Sequence, residues 1–136
     1  MDRPTTQRPL ELILARNLLS TLSTAAFLVN QPGDIVFYNE AAGMLLGRRF
    51  EEKGAMSAQD WVEAFGPIDD DGNPIPIEQQ PMTAALRRNR AGHYRHRIRS
   101  LTGVEHMVEV SGMPVIGAGG FQGAMVFFWV AAGDAS

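Results

Sequence analysis

The residues able to do chemistry are few and scattered. Three histidines, His93, His96 and His106, are the natural metal-binding or proton-transfer groups. His93 and His96 lie three apart in HYRHRIRS, which reads as a strand, so they point to opposite faces and do not easily share a metal ion. Each histidine is read as structural or surface. The densest carboxylates sit in IDDDGNPIPIEQQP. Counted from Pro67, Asp69, Asp71, Gly72 and Glu78 fall at positions 3, 5, 6 and 12 of a calcium loop. Position 1, normally Asp, is Pro67, and Pro74 and Pro76 stiffen the segment, so a turn with Gly72 at positive φ is the better account. Ser20, Ser23, Ser57, Ser100 and Ser111 have no nucleophile-elbow motif around them, and the chain holds no phosphate loop or dinucleotide fingerprint. There is no cysteine, which removes disulfides, thiolate metal sites and cysteine nucleophiles. Arg87, Arg88, Arg90, Arg95, Arg97 and Arg99 form a local basic patch, either a solvated helix end and strand face or a contact for an anionic partner. No metal, no cofactor and no catalytic group are expected.

The bulk composition is that of an ordinary globular chain and gives no pointer to nucleic acid. At 136 residues the simplest reading is one domain, and 45% hydrophobic with 20% charged residues is ordinary globular composition. A net charge of −3 gives no general reason to expect nucleic acid as a partner. No apolar run approaches the length of a membrane span, and MDRPTTQRP lacks the apolar core of a secretory signal. The expectation is a soluble, cytoplasmic protein.

The elements that must position these groups follow from periodicity. Residues 1–9 read as a flexible lead-in and residues 131–136 as a flexible tail. Between 10 and 22 the pattern is helical, and Leu12, Ala15, Leu19 and Leu22 form a stripe that Leu14 and Leu18 widen. AAFLVN reads as a strand, QPGD as a type II turn with Pro32 second and Gly33 third, and IVFYN as the returning strand. Asn39 then stands where a helix N-cap belongs, Glu40 in the first turn and Gly47 at the C-cap. Trp61 and Phe65, four apart, share a face of a short helix, and PMTAALRRNR is a further helix opened by Pro81. Three strands finish the chain at 93–100, 105–116 and 120–130, joined by connections short enough to make them antiparallel. In the last of them Met125, Phe127 and Trp129 line one face and Val126, Phe128 and Val130 the other. Both faces are apolar, so both must be covered. The sum is an α+β domain: a five-stranded antiparallel sheet with short helices on one face and an N-terminal amphipathic helix on the other.

Two sets of apolar residues carry the functional expectation. Phe37, Met44, Leu45, Trp61, Phe65, Met82 and Leu86 either fill the core or line a pocket for a small apolar ligand between helices and sheet. Leu12, Ala15, Leu19, Leu22, Val126 and Phe128 are the candidates for a homodimer interface.

Several stretches resemble PAS domains. GDIVFYNEAAGMLLG resembles their strand-to-helix signature: a glycine, a branched residue, an aromatic, Asn, Ala-Ala and a closing Leu-Gly. DDDGNPIPIEQQPMTAAL is similar to the loop and helix entry of PAS domains in bacterial signalling proteins, and SGMPVIGAGGFQGAMVFFWV resembles their last two strands. Together the pieces cover residues 23–130. The resemblance implies a non-catalytic sensory module coupled to a kinase, phosphatase or cyclase partner, often dimerising through an N-terminal helix on the outer sheet face. Some PAS domains hold haem, flavin or metabolites. A flavin photoreceptor needs a reactive cysteine, which is absent, and haem-binding members usually take an axial His from the helix that here reads PMTAALRRNR, without His. Two other readings stand beside it. One is a ligand-free interaction domain. The other is a small α+β enzyme with a deep apolar pocket, for which Asp60 and Glu63 beside Trp61 are the nearest acid–base candidates.

Overall fold

The computed structural model describes residues 10–132; the expected lead-in at 1–9 and all but the first two residues of the expected tail lie outside them. The elements run in the order α1 (Leu10–Ser20), β1 (Ala25–Asn30), β2 (Ile35–Tyr38), α2 (Glu40–Leu46), α3 (Phe50–Lys53), α4 (Ala58–Phe65), a 3-10 turn (Ile77–Gln79), α5 (Pro81–Arg87), β3 (Gly92–Arg99), β4 (Glu105–Gly117) and β5 (Gly120–Val130). All five strands form one antiparallel sheet in the order β2-β1-β5-β4-β3. The first and last strands of the chain are therefore neighbours, which puts β5 at the centre with both faces to cover.

The two faces are covered by different parts of the chain. On the inner face, Val108, Phe128, Ile98 and Ala25 pack with Tyr38, Leu46, Trp61 and Phe65 in one core. On the outer face, Leu12, Ala15 and Leu19 of α1 pack on Ala26, Leu28 and Phe37, with Met125, Phe127 and Val115 around them. This alternation decides the fate of β5. Val126 and Phe128, expected at a dimer interface, are 3% and 4% exposed and face inward, while it is Met125 and Phe127 that meet α1. Trp129 and Val130, at the end of the strand, are exposed. Leu12, Ala15 and Leu19 are likewise consumed within the chain, because the stripe with helical spacing is the one that the sheet buries. Leu22 packs partly against the same cluster.

Local chemistry sets the boundaries. α1 stops at Ser20 rather than Leu22: the Ser20 and Thr21 hydroxyls donate to the Asn17 and Leu18 carbonyls, and the Thr21 and Leu22 N–H groups tighten onto the Leu18 and Leu19 carbonyls. The hairpin turn also lies one residue earlier than expected. The Gly33 N–H bonds the Asn30 carbonyl and the Asn30 N–H bonds the Asp34 carbonyl, enclosing a three-residue loop, with the Asn30 side chain accepting from the Gly33 and Asp34 N–H groups. In the acidic loop Gly72 has φ +85°, and the Asp69 carboxylate accepts from the Asp71 and Asn73 N–H groups, so the loop is a turn as expected.

Asn39 does more than cap α2. Its Oδ1 accepts from the Ala42 N–H at 3.0 Å and the Ala26 N–H at 3.1 Å, and its Nδ2 donates to the Leu19 carbonyl at 3.0 Å and the Thr24 carbonyl at 2.8 Å. One buried amide, with all four of its hydrogen-bonding positions used, ties together the end of α1, the start of β1 and the start of α2.

Candidate ligand cavity

Between the inner sheet face, α4, the 3-10 turn and α5 lies a cavity of about 310 Å³. Its floor is the sheet: Phe27, Val108, Val110, Ala124, Val126 and Phe128. Trp61 and Phe65 come from α4, whose Ser57 side chain caps the helix by accepting from the Asp60 N–H. Met82 and Leu86 come from α5, with Pro81 in its first turn. Two cross-strand glycines, Gly92 and Gly112, let α5 lie close: a Cβ on Gly112 would stand 2.6 Å from the Met82 sulfur, and one on Gly92 would stand 3.3 Å from it. The Ile68 N–H bonds the Arg97 carbonyl at 2.8 Å and fastens the segment after α4 to β3.

The walls are aromatic. The Phe27 and Trp61 ring centroids are 4.7 Å apart, Trp61 and Phe65 4.9 Å, and Phe27 and Phe128 6.0 Å, the tilted and edge-on geometries that ring quadrupoles favour. The polar lining is sparse. Gln80 donates to the Ile75 carbonyl, and Asn30 is engaged in the hairpin. Gln31, Glu78 and Arg87 stand at exposed positions, and His96 reaches in from β3. Burial holds the His96 imidazole below the ordinary histidine value, so it is neutral at pH 7.

Four of the seven expected pocket residues line this cavity: Trp61, Phe65, Met82 and Leu86. Three do not. Met44 is 80% exposed, because the seven-residue α2 buries Ala42, Gly43 and Leu46 and turns Met44 away. Leu45 packs partly against the inner core without reaching the cavity, where its neighbour Leu46 stands instead. Phe37 is buried on the opposite side of the sheet, under the Arg16 guanidinium at 4.5 Å from its ring centre. Alternation alone would put Ile35 and Phe37 on the same face. A register shift between Leu28 and Val29 separates them, so Ile35 lines the cavity and Phe37 faces α1.

His96, read from the sequence as structural or surface, stands in the lining of this cavity. The signal was the alternation of Tyr94, His96 and Ile98 against Arg95, Arg97 and Arg99, whose apolar side is the inner face. His93 does point the other way, with a ring nitrogen 2.9 Å from the Glu109 carboxylate, which the Arg95 guanidinium also holds at 2.8 Å. Asp60 and Glu63 are exposed on α4 and do not line the cavity, which leaves the enzyme reading without its acid–base pair. Among the described residues no cluster of three or more His, Asp or Glu is arranged to hold a metal ion. Nor is any helix among them long and apolar enough to cross a membrane.

An antiparallel five-stranded sheet with its inner face turned to short helices around a cavity defines an α+β architecture. The particular fold is that of PAS domains. A PAS domain from a two-component sensor histidine kinase superimposes with a TM-score of 0.61 at 20% identity, covering 90% of this chain and 97% of that one. A LOV protein from Rhodobacter sphaeroides gives a TM-score of 0.70 at 11% identity, covering 90% of this chain and 68% of that one. The PAS domain of Bordetella pertussis BvgS gives 0.58 at 12% identity, covering 89% and 85%. No family model matches the sequence. No curated protein matches it in sequence either.

Proposed function

We propose that this chain is a non-catalytic sensory module of bacterial signal transduction, whose cavity binds a small, largely apolar molecule and whose outer helix passes occupancy on to a partner. The observation that carries this reading is the aromatic-lined cavity on one face of β5 with α1 on the other. Val126 and Phe128 border the cavity, and Met125 and Phe127, interleaved with them along the same strand, pack on α1. A ligand that shifts the strand therefore acts on the helix packing directly, and Asn39 adds a rigid tie from the inner layer to the α1 C-terminus. The signal is a change in the balance between two packings of α1. Resemblance to the PAS domain of a sensor histidine kinase supports a kinase, phosphatase or cyclase as the output partner. A kinase or cyclase output draws on nucleoside triphosphate, which favours a cytoplasmic module.

Dimerisation belongs to the same reading, through a corrected surface. With Leu12, Ala15 and Leu19 buried at home, the face of α1 left open carries Leu10, Ile13, Leu14 and Leu18, between 43% and 64% exposed. Four large apolar residues on one open helix face favour a second copy as the occupant. Native mass spectrometry of the purified chain tests the sensing half: a co-purifying small molecule, or stabilisation by members of an aromatic compound set, is expected. A protein that stays empty and gains no stability from any of them refutes it.

A further inference from the structure

The polar groups of the cavity are arranged unequally, and that inequality points to a ligand class. At the mouth stand one cation, Arg87, and one anion, Glu78, both exposed, so the entrance carries no net charge of either sign. Between them and the core, the half-buried His96 lines the cavity from β3 and makes no hydrogen bond to any described residue; its one ring contact is Tyr94, 6.3 Å away. No fully buried side-chain nitrogen or oxygen among the described residues lacks a partner, so the unbonded ring nitrogens of His96 are atoms with open space in front of them. An imidazole kept neutral offers one donor and one acceptor. Of the surrounding walls, Phe27, Phe65 and Phe128 offer ring faces and edges only, while the Trp61 indole N–H adds one donor and the part-buried Thr83 a hydroxyl; His96 alone offers an imidazole acceptor beside its donor. An ion entering such a site would lose its hydration against apolar walls, whereas a neutral polar atom needs only one partner. A volume of about 310 Å³ lies at the small end of ligand pockets and suits one or two rings.

We propose that the cavity takes a neutral aromatic molecule bearing a single hydroxyl or ring N–H, a phenol or nitrogen heterocycle, whose polar atom bonds His96 while its ring packs against Phe27, Trp61 and Phe128. This rests on the reading of the cavity as the sensory site and adds the chemistry of what is sensed. The test uses four probes on the full chain by calorimetry: 4-ethylphenol, indole, ethylbenzene and 4-ethylbenzoate. The phenol and indole bind at least about tenfold more tightly than ethylbenzene, the worth of one hydrogen bond in an apolar site. In His96→Leu the phenol and ethylbenzene converge to within about twofold while ethylbenzene affinity holds, and His96→Gln, which keeps a donor and an acceptor, restores part of the gap. The imidazole nitrogen resonances of His96 in the unaltered protein shift on adding the phenol and stay put with ethylbenzene, so the assignment is decided even if His96→Leu does not fold. Equal affinity for the phenol and ethylbenzene, a gap that survives in His96→Leu, or tighter binding of 4-ethylbenzoate overturns the proposal and leaves the sensory cavity standing. Failure of all four probes to bind overturns both.

Discussion

The two faces of β5 are equally apolar in sequence and end up in opposite states. Its outer residues, Met125 and Phe127, meet α1 and form a filled layer with Leu12, Ala15 and Leu19, of which Leu19 is 0% exposed. Its inner residues, Val126 and Phe128, are more deeply buried than the half-buried Met125 and Phe127, yet they border a cavity of about 310 Å³. One helix with a continuous apolar stripe can close against a sheet. Three short segments, α4, the 3-10 turn and α5, meet the sheet at separate points and leave a space between them. Hydrophobicity secures burial, but the length and number of the covering elements decide whether that burial is solid or hollow.

If that contrast is right, damage to the solid layer and its tether costs more than damage around the hollow one. The largest loss falls on Asn39→Ala, which strands four backbone groups that one buried amide now satisfies; about 3–5 kcal/mol is expected in urea unfolding. A loss below about 1 kcal/mol would mean that the tether is dispensable. Leu19→Ala follows at about 3 kcal/mol, since a fully packed site relaxes poorly around a new cavity. Leu86→Ala, beside space that already exists, costs about 1 kcal/mol, and equal losses for the two leucines would erase the distinction between the layers.

Smaller still is a pH effect seated on the hollow side. Because burial lowers the His96 pKa, the unfolded chain binds more protons than the folded one below the ordinary histidine value. The contribution of His96 is therefore intact above that value and is lost as pH falls through it toward the folded pKa. The groups that share its cavity or strand face, Glu78, Arg87 and Tyr94, stay in place in His96→Asn, so unfolding at pH 7.5 and 5.5 should show a smaller drop in that variant. An undiminished drop would assign it elsewhere. Glu109 on the outer face provides a separate acid window: hydrogen bonds from Arg95 and then His93 lower its pKa, so its contribution is present above the usual carboxylate value and is lost below it. Leu14→Asp with Leu18→Asp should leave stability nearly unchanged and lower the sedimenting mass, because both residues are exposed in the single chain. A retained dimer would move the interface off α1.

Much of the frame was legible in the chain. The strand, Asn cap, short helix and Gly stop of GDIVFYNEAAGMLLG appear as β2, Asn39, α2 and Gly47, because caps and turns are settled by the residues themselves. Trp61 and Phe65 share a face for the same local reason. Errors arose where a residue's side depends on its partners. Phe37 is on the far side of the sheet through a register shift set by pairing with β1, and Met44 is outside because α2 is too short to bury more than one edge. Val126 and Phe128 could not be told from Met125 and Phe127, since alternation gives two faces without saying which layer meets which.

The sequence by itself determined the elements, their order, their caps and the need to cover both sides of the last strand, all of which follow from period and local chemistry. Only the tertiary structure decided that α1 spends its main stripe at home, that one amide joins three elements, and that the inner layer leaves a cavity lined by one imidazole. Those outcomes depend on distances between segments far apart in the chain, where single-residue preferences carry no information.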